Sequence, residues 1–273
     1  MVRLASGCGR EHRFGRHAVI AFGCALLLSG CSISATPASS SSPTFASSST
    51  PQEAWSVVAL GDSVPRGTNC GCTPYPELTA SYLTASDGRE VKATNEAVGG
   101  FTSADVVKQL RSDSAVVSDV ANADVVEIEI GANDVAYSGS CGTAVACYQP
   151  MISSTEKNLD QIVARIHQLT EGRPIQLILL DYWSVWLGGR YANAEGPVYV
   201  DAVASVTDQV NTVIKRTAVD TDSGYVDLRA IFKGPDYDSD ETPYLASDGD
   251  HPNAAGHHKI AAAVIDVVSQ SLH

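Results

Sequence analysis

The chain has 273 residues, with 18 Lys or Arg against 31 Asp or Glu, for a formal net charge of −13. A surface of that sign repels phosphate, which argues against nucleic acid or an anionic lipid surface as the substrate.

The first residues do not read as folded protein. Arg3, Arg10, Arg13 and Arg16 make a positive start, diluted by Glu11, and residues 18–28, AVIAFGCALLL, make an apolar run too short for a permanent span. A basic start, a short apolar run and small residues form a secretory signal. The run ends in Leu28-Ser29-Gly30-Cys31, which resembles a bacterial lipobox and so implies cleavage before Cys31 and lipidation of its thiol. The alternative is an ordinary signal peptide in which Cys31 is incidental. Cys24 lacks the apolar and small residues ahead of it. Loss of residues 1–30 removes four Arg and one Glu and leaves 14 basic and 30 acidic residues, a formal charge of −16. From Ser32 to about Pro51 the chain is dominated by Ser, Thr, Pro and Ala. Such a segment cannot bury enough apolar surface to offset its ordering entropy, and it reads as a tether. The expected organisation is a signal peptide over 1–30, a tether over 31–52 and one domain over 53–273.

Seven Cys are present. Cys8 and Cys24 leave with the signal, and Cys31 is taken by lipid. Cys70, Cys72, Cys141 and Cys147 remain, and an even count in an exported chain implies two disulfides. Cys141–Cys147 would close a short loop and leave Cys70–Cys72. A bridge across one residue is strained, so crossed pairing stays open. A zinc site is the alternative use of these four.

Within the domain, WSVVAL (Trp55 to Leu60) predicts a buried strand. A helix follows from Pro76 to Ala85, then a weaker strand from Glu90 to Thr94. Residues 103–120 predict one or two helices, with Ser103 as N-cap. DVVEIEI, Asp124 to Ile130, alternates and is β-branched, which predicts a strand with Glu127 and Glu129 on one face and apolar residues on the other. A helix is expected over Ser153 to Leu169, a buried strand over Pro174 to Leu180, and a helix over Val198 to about Val219. A short strand at Tyr225 to Leu228 and a closing helix at Pro252 to Leu272 complete the chain. Strands alternating with helices imply a mostly parallel sheet covered on both faces. In such sheets ligands bind beyond the carboxyl ends of the strands.

The residues at those ends have a chemistry in common. Ser63 follows the first strand, Gly99 and Gly100 the second, and Asn133 and Asp134 the third, while Asp248 and His251 precede the last helix. A serine hydroxyl needs a base to take its proton as it attacks, and His is the natural base near neutral pH. Asp248, three residues before His251, could orient the ring, with Asp250 as its competitor. The N–H groups of Gly100 and Ser63 and the side-chain amide of Asn133 would serve as oxyanion donors. Asp134 could support the Asn133 loop. His257 and His258 read as solvated or packing residues, and His167 has no partner visible in the sequence. Trp183, Trp186 and Tyr191 could line an acyl or sugar pocket, or pack as core or lid. Cys70 and Cys72, if bridged, would stiffen the loop beside Ser63.

These residues fall into four blocks: Gly61-Asp62-Ser63; Asn95 with Gly100 and Thr102 in NEAVGGFT; Gly131-Ala132-Asn133-Asp134; and Asp248-Gly249-Asp250-His251-Pro252-Asn253. In that order they resemble the SGNH/GDSL hydrolase family across essentially the whole folded part. The resemblance implies Ser63 as nucleophile, His251 as base, Asp248 orienting it (some members use a backbone carbonyl), and Ser63, Gly100 and Asn133 as the oxyanion hole. It implies a flavodoxin-like three-layer α/β/α sandwich, no metal and no cofactor. The expected protein is a monomeric serine esterase acting on lipid or short-chain acyl esters. It would be held on the outer face of the bacterial cytoplasmic membrane by Cys31, or secreted if that anchor is unused. A carbohydrate O-acetylesterase, an acyltransferase and a non-catalytic glycan-binding lipoprotein are the alternatives.

Overall fold

A computed structural model describes residues 54–271. The expected signal peptide, the tether and the lipidation site at Cys31 lie outside the described residues. Five strands form one sheet: β1 (Trp55–Gly61), β2 (Val91–Asn95), β3 (Val125–Glu129), β4 (Gln176–Leu180) and β5 (Gly224–Val226). Their order is β2-β1-β3-β4-β5 and every pairing is parallel. That is the flavodoxin-like order, with its topological switch between β1 and β3. The helices are α1 (Ser63–Arg66), α2 (Tyr75–Asp87), α3 (Ser103–Ser112), α4 (Ser114–Asn122), α5 (Gln149–Leu169), α6 (Gly189–Ala194), α7 (Pro197–Asp220), α8 (Leu228–Lys233) and α9 (Ala254–Ser271). On one side of the sheet α2 packs against α9, and on the other α3, α4, α5 and α7 pack together.

Because helices cover both faces, the strands are buried on both. Val57, Val58, Ala59 and Leu60 of β1 are fully buried, and so are Glu127 and Glu129 of β3. The two glutamates do share a face, but that face lies under α2 rather than in water. The alternation in β3 therefore marks two buried faces of different polarity.

Local chemistry moves several expected boundaries. α3 is capped by Thr102, not Ser103: the Asp105 carboxylate accepts both the Thr102 N–H (2.9 Å) and its hydroxyl (2.6 Å). Ser103 is fully buried one residue further on, and its N–H donates to Asp134 at 2.8 Å. α5 begins before the expected Ser153, with Pro150 in its first turn, where a missing N–H does no harm. β5 stops at Val226 because Asp227 caps α8, accepting the Ala230 N–H at 2.8 Å. The last helix starts at Ala254, after Asn253 accepts the Gly256 N–H at 3.1 Å.

Candidate active site

The turn after β1 is set by three neighbours. At Gly61 φ is +148°, and a Cβ there would stand 2.1 Å from the Glu129 carbonyl oxygen, so only glycine lets β1 end this close to β3. Asp62 caps α1 by accepting the Val64 N–H at 3.0 Å, and its other oxygen accepts the Tyr182 hydroxyl at 2.7 Å. Burial pushes the Asp62 carboxyl up to about 6, against the pull of those two donors. Asn95, at the end of β2, donates to the Pro65 carbonyl at 2.7 Å and pins the turn from the adjacent strand. Ser63 is thereby held as the first residue of α1, where its N–H has no helical acceptor.

The loop before α9 supplies an acid and a base. His251 Nδ1 lies 2.7 Å from Asp248 Oδ2, whereas the Asp250 carboxylate is 4.0 Å away. Asp248 Oδ1 also accepts the N–H groups of Asp250 and His251, both at 3.1 Å. Burial would raise the Asp248 carboxyl. Side-chain donors Asn69 and His251 and the two backbone N–H groups outweigh it and hold the group at about 2. Asp250, with no such set of donors, is raised by burial instead. An acid that stays charged beside Nδ1 fixes the ring and leaves the other nitrogen to handle a proton.

Two further strand ends bring N–H donors toward Ser63. The backbone turns at Gly100 with φ of +85°, and a Cβ placed on Gly99 would lie 3.9 Å from the Ser63 Cβ. The loop thus passes beside the serine, and among the described residues the N–H groups of Gly99 and Gly100 carry no hydrogen bond. Asn133 Nδ2 donates to the Phe101 carbonyl at 2.9 Å, which ties it to that loop and leaves its second amide hydrogen available. Asp134, beside it, braces the start of α3 through Ser103, whose hydroxyl also accepts from Asn158 at 2.9 Å.

Ser63, Asn133 and His251 open on one cleft of about 410 Å³. Among the described residues no hydrogen bond joins Ser63 to His251; apo sites often close such bonds only with substrate bound. The cleft wall is aromatic. Tyr137, Trp186 and Tyr199 lie with ring centres 5.1–5.5 Å apart, and Trp186 Nε1 donates to the Val135 carbonyl at 2.7 Å. Glu195 and Asp250 also border it. Of the three aromatics the sequence left open as pocket or core, Trp183 and Trp186 are buried and also line this cleft, whereas Tyr191 does not: it packs over Gly249. Tyr137 and Tyr199 escaped sequence reasoning because each stands alone in its own loop or helix start.

The other histidines do not join the site. His257 is fully buried, not solvated: its Nδ1 accepts the Tyr75 N–H at 3.2 Å and burial lowers it to about 4. His258 meets the Tyr82 hydroxyl at 2.5 Å, and His167 is exposed near the end of α5. Cysteines pair as Cys70–Cys72 and Cys141–Cys147. Cys70, Cys72 and His257 have potential metal-ligand atoms within 4.8 Å of one another, but sulfurs joined in a disulfide offer no thiolate to a metal.

The GDSL-like Lipase/Acylhydrolase family model matches residues 59–259. No curated protein matches the chain. Among solved structures, the extracellular lipase of Streptomyces rimosus is 23% identical, with 78% of this chain and 99% of that one covered at a TM-score of 0.61. A lipase from a goat rumen metagenome is 18% identical over 78% and 97% of the two chains, with a TM-score of 0.60. The acetylxylan esterase of Geobacillus stearothermophilus is 22% identical over 78% and 94%, with a TM-score of 0.56. These likenesses place the fold, and the family match spans the turn at Ser63 and the loop at His251. The chain belongs to the GDSL-like lipase/acylhydrolase family and is a serine ester hydrolase.

Proposed function

We propose that Ser63 is the nucleophile of this hydrolase, His251 its base and Asp248 the residue that orients the base. The supporting observation is that His251, held by Asp248 at 2.7 Å, opens on the same cleft as Ser63. Ser63 Oγ attacks the ester carbonyl while His251 Nε2 takes its proton. The tetrahedral oxyanion is met by the N–H groups of Ser63 and Gly100 and by the free amide hydrogen of Asn133. Collapse expels the alcohol, which takes the proton back from His251, and water then releases the acid from the acyl-Ser63 intermediate by the same route.

The substrate is a carboxylic ester whose acyl part is of short or medium length. A cleft of about 410 Å³ with three aromatic rings in its wall lies toward the small end of ligand pockets and suits an acyl chain of modest length. A second reading is a carbohydrate O-acetylesterase, favoured by the Glu195 and Asp250 carboxylates beside those rings, which could accept sugar hydroxyls. The enzyme acts outside the cytoplasm, anchored through lipid on Cys31; the supporting feature is Leu28-Ser29-Gly30-Cys31 ahead of a Ser/Thr/Pro-rich tether.

Turnover of acyl esters of graded chain length, alongside acetylated sugars, by the full chain and by Ser63→Ala tests the reading. Wild-type activity on the acyl series with none in Ser63→Ala is expected; equal activity in the two proteins would falsify the nucleophile assignment. Faster release from acetylated sugars than from any simple acyl ester would favour the second reading. Metabolic labelling with a fatty acid should mark the wild-type chain and not Cys31→Ala.

A further inference from the structure

Six positions beyond Ser63, in the turn that follows α1, Asn69 reaches across the molecule. Its Nδ2 donates to Asp248 Oδ2 at 2.5 Å, between residues 179 positions apart in the chain. That oxygen is the one that meets His251 Nδ1 at 2.7 Å. Each Asp248 oxygen is thus engaged twice: Oδ2 by Asn69 and His251, Oδ1 by two backbone N–H groups. A carboxylate can accept that many donors only in one orientation, so its rotation about χ2 is arrested.

Asn69 is itself fixed. Its φ is +57°, a left-handed conformation that Asn tolerates better than other residues with a side chain. On one side Thr68 N–H donates to the Ser63 carbonyl at 3.0 Å. On the other Cys70 is bridged to Cys72. Asn69 therefore stands between a hydrogen bond to the serine's own carbonyl and a covalent staple. It links the turn that carries Ser63 to the loop that carries His251, which do not otherwise meet through a Ser63–His251 bond among the described residues.

We propose that Asn69 is a positioning residue for ester hydrolysis: it clamps the Asp248 carboxylate against His251 from the turn that follows α1. The proposal rests on the assignment of Ser63, His251 and Asp248 above. Asn69 is exposed, so its bond contributes little to the fold and acts on the geometry of the acid and base. Without it, Asp248 keeps two backbone N–H groups on Oδ1 and His251 on Oδ2, but Oδ2 loses the donor that holds it from the Ser63 side, and its position against the ring loosens. The ring then spends less time aimed at Ser63. Such a defect lowers the chemical step and leaves substrate binding unchanged.

The test is a double-mutant cycle on the full chain with the acyl ester that turns over best. Asn69→Gly keeps the left-handed backbone and deletes the donor. It should lower kcat about tenfold, the low end for a hydrogen bond to a charged group, with KM unchanged. Asn69→Asp keeps size and backbone but sets a second negative charge against Asp248, and should lower kcat further. In the Asp248→Ala background Asn69→Gly should have no added effect, because the group it acts through is gone. Wild-type kcat in Asn69→Gly overturns the proposal, and so does an equal loss in the Asp248→Ala background. Ser63→Ala, run beside these, separates the two readings: activity surviving there removes the serine assignment, whereas an inactive Ser63→Ala with an unimpaired Asn69→Gly removes only the clamp. If Asn69→Gly unfolds earlier on heating, the kcat ratio between the two backgrounds at a temperature where all four proteins are folded still decides.

Discussion

Asp248 and Asp250 stand two residues apart, and their surroundings shift their carboxyls in opposite directions. Four donors hold Asp248 ionised, with its carboxyl at about 2, and point it at His251 Nδ1. Asp250 is 4.0 Å from that nitrogen and borders the cleft. Asp248→Asn replaces an acceptor with an amide and frees the ring to take the wrong tautomer. It should lower kcat by roughly three to four orders of magnitude, the scale known for this substitution in serine triads. Asp250→Asn should stay within a few-fold of wild type. Steady-state kinetics of both variants decides which acid serves, and a larger loss in Asp250→Asn would reverse the assignment. Of the three proposed oxyanion donors, Asn133 is the one that can be removed without touching the backbone. Asn133→Ala should cost about 2.7–4 kcal/mol of transition-state stabilisation, seen as a fall in kcat of roughly a hundred- to a thousandfold with KM little changed. A loss confined to KM would make Asn133 a binding residue.

At the scale of elements, most of the fold was legible, and so was the gathering of Ser63, Asn133 and His251 on one cleft. Parallel strands are written as short apolar runs, and each run ended within a residue or two of where its strand does. The candidate residues follow strand ends or, for His251, precede the last helix, so the edge at which Ser63, Asn133 and His251 gather could be read from the pattern. What the sequence hid has physical causes. Glu127 and Glu129 look like a solvated face because polarity usually means water, but α2 covers them. Asn69 gives no signal, because its partner is 179 positions away. The aromatic wall draws Tyr137, Trp186 and Tyr199 from three separate segments. Behind that wall Tyr148 packs 5.1 Å from Trp186 and donates to the Gly142 carbonyl at 2.9 Å, inside the loop closed by Cys141–Cys147. This bridge backs the cleft, as Cys70–Cys72 backs the Ser63 loop. Cys141→Ser with Cys147→Ser should therefore lower thermal stability by about 2 kcal/mol, the loop-closure value for a ring this short. The same pair should raise KM more than it lowers kcat. Unchanged KM in the double variant would detach the loop from the substrate wall.

Across the whole molecule the buried acids set how stability depends on pH. Burial pushes Asp62 up to about 6, Asp181 to about 7 and Glu127 to about 8, and it holds Glu129 well above its ordinary range. In the folded chain these groups keep their protons at pH values where the unfolded chain has released them. Their contribution is complete below the ordinary carboxyl range and is lost as pH rises toward the folded values. Each such group removes up to about 1.4 kcal/mol per pH unit over its window. Buried His257, lowered to about 4, acts in the opposite sense: it favours the fold as pH rises from about 4 to its ordinary value near 6.5. One imidazole is outweighed by several carboxyls, so the melting temperature should peak in mild acid and decline from about pH 5 to 8. Glu127 is the cleanest handle. It is fully buried, its carboxylate makes no hydrogen bond of good geometry among the described residues, and it lies away from the cleft. Glu127→Gln keeps the shape of the protonated acid and has no proton to lose. Its Tm should match wild type near pH 5 and exceed it at pH 8 by several degrees, at roughly 2–4 °C per kcal/mol for a domain of this size. Melting curves of both proteins across that range measure the difference directly, and parallel declines would mean that Glu127 is already ionised in the fold. Ester turnover at pH 5 should be the same in both, since Glu127 lies away from the cleft on which Ser63 and His251 open.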